Sequence, residues 1–276
     1  MKALLGPAEI RDLAELLDLQ PTKKLGQNFV IDGNTVRRIV AAAGVTGDSP
    51  VVEIGPGLGS LTLGLLETGA PVVAVEIDPR LAGQLPKTVE TMQPGADVTV
   101  VLHDAMTIME LPRHPKTLVA NLPYNVSVPV LLHFLEHFRY ITSGLVMVQA
   151  EVGQRLAAEP GSKVYGSPSV KAAWYGHWRT AGLVSRQVFW PVPNVDSILV
   201  GFTVREEPLG TEEERLATFE LVDAAFGQRR KMLRQSLAGV LGGSAAASAR
   251  LEAAGIKPTE RGEQLTVHDF LAITRA

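Results

Sequence analysis

The sequence predicts an α/β fold, a parallel and doubly wound sheet followed by a small helical domain. Two observations carry this. Between Val51 and Val148, short apolar runs alternate with stretches of helical periodicity, the β-α-β-α order that builds a parallel sheet. After Glu206-Glu207-Pro208-Leu209-Gly210 the strand pattern stops, and apolar residues recur at three- and four-residue steps to the end. The expected division is therefore 1–207 and 208–276. At 276 residues and 46% apolar composition, the chain can bury a sizeable core.

The elements follow in order. Ala8 to Leu19 sets Leu13, Leu16 and Leu17 at helical spacing, and Pro21 ends that helix. Lys23-Lys24-Leu25-Gly26-Gln27-Asn28-Phe29-Val30 reads as a basic, polar loop closing on two apolar residues. Asp32 or Asn34 caps a second helix through Val36, Ile39 and Val40, ending near Gly44. Strands are expected at Val51 to Ile54, Val72 to Val75, Val98 to Leu102, Thr117 to Ala120 and Leu145 to Val148. Between them lie helices from Leu58 to Leu66, from Leu81 to Met92, and one holding Val130, Leu131, Phe134, Leu135 and Phe138. Ser169 to Trp178 and Val195 to Val204 read as closing strands; in the second, Ile198, Val200, Phe202 and Val204 alternate as a strand with unlike faces does. Beyond residue 208, Leu216, Phe219, Val222 and Phe226, then Leu233, Leu237, Val240 and Leu241, are the expected apolar stripes.

Composition excludes several classes. The formal net charge of −3 gives no global basic signature, so a nucleic-acid surface has to be local. The absence of cysteine removes disulfides and thiol chemistry and fits a reducing compartment. No signal-peptide pattern and no apolar run of membrane-spanning length is present. A soluble, cytoplasmic protein without a membrane partner is the expectation.

Chemistry gathers at the expected strand ends, where open α/β sheets bind ligands. Glu53-Ile54-Gly55-Pro56-Gly57-Leu58-Gly59 follows the first strand, and its glycines let backbone approach a ligand closely. The spacing is G-x-G-x-G rather than G-x-G-x-x-G, which disfavours a dinucleotide's pyrophosphate and favours a ligand with an uncharged middle. Glu76 ends the second strand, placed to accept two ribose hydroxyls; alone it is a solvated strand-end charge. Asp104 ends the third, placed to accept from an adenine amino group; alone it is a helix cap. Together with the loop, these residues resemble the S-adenosylmethionine site of class I methyltransferases. No residue pattern calls for a metal.

At the fourth strand end stands Asn121-Leu122-Pro123-Tyr124-Asn125, where that superfamily places an amine-methylating tetrad. Adenine N6 is a poor nucleophile because its lone pair is delocalised into the ring. Two acceptors on its protons, the Asn121 side-chain oxygen and the Leu122 carbonyl, would localise that pair. Pro123 holds Leu122 extended and so aims its carbonyl. Tyr124 can stack on the base and face the developing positive charge. The leaving group is a neutral thioether and the methylated nitrogen is acidic, so no general base is needed, and the tetrad has none. In isolation, Asn-Leu-Pro-Tyr reads rather as a strand-terminating turn.

With these residues in hand, the chain closely resembles the small-subunit ribosomal RNA adenine-N6 dimethyltransferases. The resemblance runs from Lys23 to about Leu237. It rests on Leu25 to Phe29, Glu53 to Gly57, Asn121 to Asn125, Pro193-Asn194-Val195-Asp196-Ser197 and Ala225-Phe226-Gly227-Gln228-Arg229-Arg230-Lys231. It implies two methyl transfers to each of two adjacent adenines near the 3′ end of 16S rRNA in the small ribosomal subunit, by a monomer using S-adenosylmethionine. It also implies that Asn28 and Val30 join Gly55, Gly57, Glu76, Asp104 and Asn121 around the cofactor, and that Phe189 stacks on the extruded adenine opposite Tyr124. Val30, Asn194 and Gly227 depart from the usual leucine, lysine and asparagine. A sister family that dimethylates a large-subunit adenine shares the cofactor residues, but usually has isoleucine where Leu122 stands. A non-catalytic ribosome assembly factor of the same fold is the other alternative.

On the RNA side, Arg229, Arg230, Lys231 and Arg234 form a basic cluster with no acidic residue between Gly227 and Ala249. Such a run positions phosphates without reading sequence; it is equally a solvated helix start. Lys23 and Lys24 extend the expected surface from the other end.

Overall fold

A computed structural model describes residues 3–19 and 28–276. The chain begins with α1 (Pro7–Leu16), β1 (Phe29–Val30) and α2 (Gly33–Ala43). Then come β2 (Val51–Ile54), α3 (Ser60–Glu67), β3 (Val72–Glu76), α4 (Pro79–Met92) and β4 (Val98–Leu102). After them run β5 (Thr117–Asn121), α5 (Ser127–His137), β6 (Ser143–Gln149), α6 (Ala150–Leu156) and α7 (Ser167–Tyr175). The remaining strands are β7 (Gly176–Val184), β8 (Phe189–Trp190) and β9 (Ser197–Val204). The C-terminal helices are α8 (Glu212–Gly227), α9 (Leu233–Ser236), α10 (Ser244–Ala253) and α11 (Val267–Arg275).

Seven strands form one sheet in the order β4-β3-β2-β5-β6-β9-β7. From β4 to β6 the pairings are parallel, with Val51 beside both Val72 and Thr117. The sheet is mixed rather than wholly parallel: β9 runs against β6, pairing Gln149 with Ser197 and Ser143 with Thr203. An antiparallel neighbour needs no crossover helix, so the chain can close this side of the sheet from either direction. Strand order reverses between β2 and β5, and a crevice opens at such a point beyond the carboxyl ends.

Period-2 geometry explains the core. Val72, Ala74, Val119, Leu145, Met147 and Leu199 join Ile10, Val36, Ile39, Leu61, Leu65 and Leu85 in one apolar cluster. The alternate residues Val73, Val75, Leu118, Ala120, Val146 and Val148 are buried as well, as expected of strands covered on both faces. Asp32 caps α2, its carboxylate accepting from the Thr35 amide at 2.8 Å, and Gly44 ends that helix in the left-handed conformation at φ 65°. α1 ends at Leu16, which is exposed; it buries Ile10 and Ala14, and Leu13 and Leu17 pack half-buried against the same cluster.

One expected strand is a helix. Ser169 to Trp178 divides into the end of α7 and the start of β7. Pro168 sits in the first helical turn, where its missing N–H is harmless, and Ser169 Oγ accepts from the Gly166 amide at 3.0 Å. Buried Val170 and Trp174 are then four residues apart on one face. Trp174 and Tyr175 read as strand formers only while Pro168 is ignored.

By contacts the chain divides into two units, 1–153 with 179–204, and 154–178 with 205–276. A single cut after residue 207 would leave 154–178 with the sheet; those residues group with the C-terminal helices. Within that second unit, α8 buries Arg215, Thr218, Leu221, Val222 and Ala225, while Leu216 is 56% exposed. Of the expected stripe, Val222 is buried and Phe219 and Phe226 are half-buried; only Leu216 falls outside it, and Arg215 covers the apolar surface there with its stem. Its guanidinium is held by Glu212 at 2.9 Å and lies 5.2 Å from the Phe219 ring centre.

Candidate active site

Four parallel strand ends bring their polar residues to one cleft of about 690 Å³. Asn28, Val30, Gly55, Gly57, Glu76 and Asp104 line it, together with Asn121, Leu122, Pro123 and Tyr124. All of these lie in the first unit.

The glycine loop continues from β2, where the Gly55 amide donates to Val75 O at 2.9 Å. Gly57 has φ 57°, and a Cβ there would sit 2.9 Å from the Phe29 ring. Glycine is thus required twice over, by conformation and by the aromatic wall laid against the loop. That wall is fixed by β1, whose Phe29 and Val30 pair with Trp190 and Phe189 of β8, and Phe29 stacks on Trp190 at 6.4 Å.

Glu76 is 5% exposed. One oxygen accepts from the amides of Ile77 and Asp78 at 2.9 and 3.0 Å, and the other accepts from Gly57 at 3.2 Å. Burial raises its pKa, opposed by those three amides. A carboxylate offers roughly four lone-pair sites, so capacity remains on the Gly57 side for a ligand hydroxyl. Beside it Glu53, which the sequence marks only as the residue before the loop, is buried and lines the cleft. Burial pushes its pKa to about 8; a hydrogen bond from Thr62 Oγ1 at 2.6 Å opposes the rise and the Glu76 charge adds to it. Its signal was hidden because a lone acid within Val51-Val52-Glu53-Ile54 looks like a strand irregularity. Asp104 is half-buried and its Oδ1 accepts from the Met106 amide at 2.8 Å.

The tetrad is held from three sides. Asn121 Nδ2 donates to the main-chain oxygen of Asn28 at 3.0 Å. The Leu122 amide donates to Met147 O at 3.0 Å, and its side chain is buried. Tyr124 Oη and Ser197 Oγ are 2.9 Å apart, with Ser197 wholly buried on β9. Burial raises the Tyr124 pKa; the Ser197 hydroxyl opposes and the Asp196 charge adds.

Other expected residues fall elsewhere. Phe189 does not line the cleft: it is 1% exposed, facing the apolar cluster from β8 beside Val30. A ring so buried is not positioned to stack on a base in this conformation. Arg229 is held within the second unit by Glu263 at 2.9 Å and by Lys163 O at 2.9 Å. Arg230 and Lys231 are exposed and Arg234 half-buried. Lys23 and Lys24 lie outside the described residues. Among the described residues there is no cluster of side chains suited to a metal ion.

The donor set fits S-adenosylmethionine. Reading across the sheet, Asp104, Glu76 and the glycine loop can meet adenine, ribose and the amino-acid end in turn, and Ile77 and Met106 add apolar wall. Comparisons with known proteins agree. The family model for ribosomal RNA adenine dimethylase matches residues 19–276. The ribosomal RNA small subunit methyltransferase A of Leifsonia xyli subsp. xyli is 70% identical over 272 residues, covering 98% of this chain and 97% of that protein. Among solved structures, a Plasmodium falciparum dimethyladenosine transferase shares the fold at TM-score 0.75 and 23% identity, over 88% of this chain and 94% of that one. The 23S rRNA methyltransferase ErmE aligns at TM-score 0.66 and 26% identity, over 90% and 98%. With its cleft, its tetrad and a match over nearly its whole length, the chain belongs to the ribosomal RNA adenine dimethylase family.

Proposed function

We propose that this protein dimethylates N6 of two adjacent adenines near the 3′ end of small-subunit (16S) ribosomal RNA, using S-adenosylmethionine, during ribosome biogenesis. The observation that carries the chemistry is the Asn121–Asn28 hydrogen bond at 3.0 Å. A main-chain carbonyl only accepts, so it fixes the Asn121 amide with nitrogen toward Asn28. The oxygen is then the pole left for a substrate amine.

When bound, the cofactor supplies an electrophilic methyl on a sulfonium that leaves as a neutral thioether. This chain's residues do the rest. Asn121 Oδ1 and the Leu122 carbonyl accept hydrogen bonds from the two N6–H groups and draw the nitrogen toward tetrahedral geometry. Tyr124, anchored on Ser197, presents its ring to the base. The nitrogen sheds its proton to solvent, and no side chain of the tetrad acts as a base. Rate comes from in-line positioning and fixed dipoles. After the first transfer N6 keeps one proton, so a single acceptor serves the second.

RNA contact is assigned to Arg230, Lys231 and Arg234 of the second unit and to Lys23 and Lys24, with base extrusion delivering the adenine. The division into a catalytic part and a C-terminal helical part supports this sharing of roles. One chain supplies every cleft residue named above, so the reading needs no second copy, and a monomer in the cytoplasm suffices. No helix among the described residues is long and apolar enough to cross a membrane. The large-subunit alternative is disfavoured by Leu122 and by the 70% identical relative, which is named for the small subunit; an intact tetrad disfavours a purely structural role.

The test is methylation of small-subunit particles from a strain lacking the enzyme. Mass spectrometry is expected to find N6,N6-dimethyladenosine at two neighbouring positions. Product confined to large-subunit RNA overturns the assignment.

A further inference from the structure

The loop between β8 and β9 carries two exposed valines beside the tetrad. Val192 is 60% exposed and Val195 42%. Single exposed apolar side chains are common on protein surfaces, so it is their position that gives these two a meaning. The loop runs into Ser197, whose Oγ lies 2.9 Å from Tyr124 Oη. Ser197 in turn pairs with Gln149 at the carboxyl end of β6, the strand next to Asn121 on β5. Neither valine lines the cleft, and Glu76 and Asp104 follow β3 and β4 on the other side of the sheet. The valines therefore stand outside the cleft, on its tetrad side.

The loop holds them in place. Pro191 and Pro193 each fix a backbone angle. Arg186, in the turn before β8, clamps the end of the loop. Its amide donates to Asp196 Oδ1 at 3.0 Å, its Nη1 donates to Asn194 O at 2.7 Å, and its Nε lies 3.3 Å from Asp196 Oδ1. The Asp196 carbonyl accepts from the Ala150 amide at 3.0 Å. Valine, branched at Cβ, has few rotamers to lose, so this apolar surface is presented at small entropic cost.

Charge decides what meets it. Residues 191–195 carry none, and Arg186 and Asp196 offset each other. Such a surface offers little to phosphate, which is met by cations. Drawing an adenine out of its stack uncovers the faces of the bases beside it, and those faces accept apolar wedges. An RNA whose base has entered the cleft thus brings the matching surface to the tetrad side.

We propose that the 191–195 loop is a docking surface for RNA bases, with Val192 and Val195 packing into the gap that the extruded adenine leaves. This rests on the RNA-methylation reading above. The valines touch no reacting atom; they hold the extruded state open while Asn121 and Tyr124 receive the base.

Steady-state methylation of small-subunit particles tests it, with Val192→Ser, Val195→Ser and Val192→Ile in the full-length protein. Each serine variant is expected to lower kcat/KM about tenfold, the size of burying one valine side chain, and Val192→Ile to keep it within about twofold. Particle binding should weaken in the serine variants with the salt slope of the wild type, because no phosphate contact is lost. Calorimetric affinity for S-adenosylmethionine should stay as in the wild type, which also reports an intact fold. Unchanged kcat/KM in both serine variants, an equal loss in Val192→Ile, or a loss of cofactor affinity overturns the proposal. So does a shallower salt slope, the mark of a phosphate contact, or a dimer-to-monomer shift in sedimentation, the mark of a second copy on this face. A wild type that methylates no particle RNA overturns the RNA reading itself, and this one with it.

Discussion

The side-chain nitrogen of Asn121 donates to the main-chain carbonyl of Asn28 across 93 residues of sequence, at 3.0 Å. The N-terminal segment thereby sets the orientation of an amide at the end of β5. Asn121→Asp replaces that donor with a carboxylate facing a carbonyl oxygen. It is expected to reduce kcat on small-subunit particles by at least as much as Asn121→Ala, both on the order of a hundredfold or more. Single-turnover methylation with tritiated cofactor measures this, and an aspartate variant with near-wild-type turnover would show that the amide orientation is irrelevant.

Tyr124 separates into a ring and a hydroxyl. Tyr124→Phe keeps the aromatic plate but orphans the buried Ser197 hydroxyl, at a stability cost of about 1–3 kcal/mol. Urea unfolding is expected to show that loss with turnover reduced less than about tenfold, whereas Tyr124→Ala loses stacking and turnover together. Equal turnover in the two variants contradicts a stacking role.

Gly57→Ala tests the wall between loop and Phe29. The left-handed backbone costs a non-glycine residue about 1–2 kcal/mol, and the new Cβ would press on the Phe29 ring. Cofactor affinity is expected to fall at least tenfold, read by calorimetry. Trimming the ring with Phe29→Leu in the same chain should recover part of it.

Glu53 gives a pH dependence with a defined sign. Its folded pKa, about 8, lies above its unfolded value of 4.5, so the folded state holds the extra proton between them. Its contribution is fully present below pH 4.5 and is lost as pH rises to about 8, on the order of 5 kcal/mol in all. Glu76, also raised by burial, acts in the same direction. Glu53→Gln can still meet the Thr62 hydroxyl but cannot ionise. Urea titrations from pH 5 to 9 should show the wild type losing stability relative to the variant; parallel curves would count against a buried, proton-holding Glu53.

The basic cluster divides by partner. Arg229→Ala is expected to loosen the second unit by a few tenths to about 1 kcal/mol, since its half-exposed pair with Glu263 is screened. Lys231→Ala should instead weaken binding to small-subunit particles and lower the salt slope by about one. Filter binding at a series of salt concentrations distinguishes them.

Local chemistry was enough to read the sheet's central strands, a cap for α2 at Asp32 or Asn34, of which the fold uses Asp32, and the convergence of Gly55, Glu76, Asp104 and Asn121 on one crevice. Each follows from short-range physics, either a two-residue period, a cap, or a polar residue placed where an apolar run ends. Reading Ser169 to Trp178 as a strand failed where Pro168 and a serine bond outweighed aromatic propensity. Reading Leu216 as core failed because a paired arginine stem can fill an apolar stripe. Residues whose roles depend on distant partners were beyond any such reading. The burial of Phe189 depends on β8 pairing with β1, and the Asn121 amide is oriented by a carbonyl far away in sequence. Glu53 holds its proton only because the packed sheet excludes water. Periodicity and motif are properties of neighbours in the chain; burial, desolvation and the pointing of a polar group belong to neighbours in space, which only the folded chain brings together.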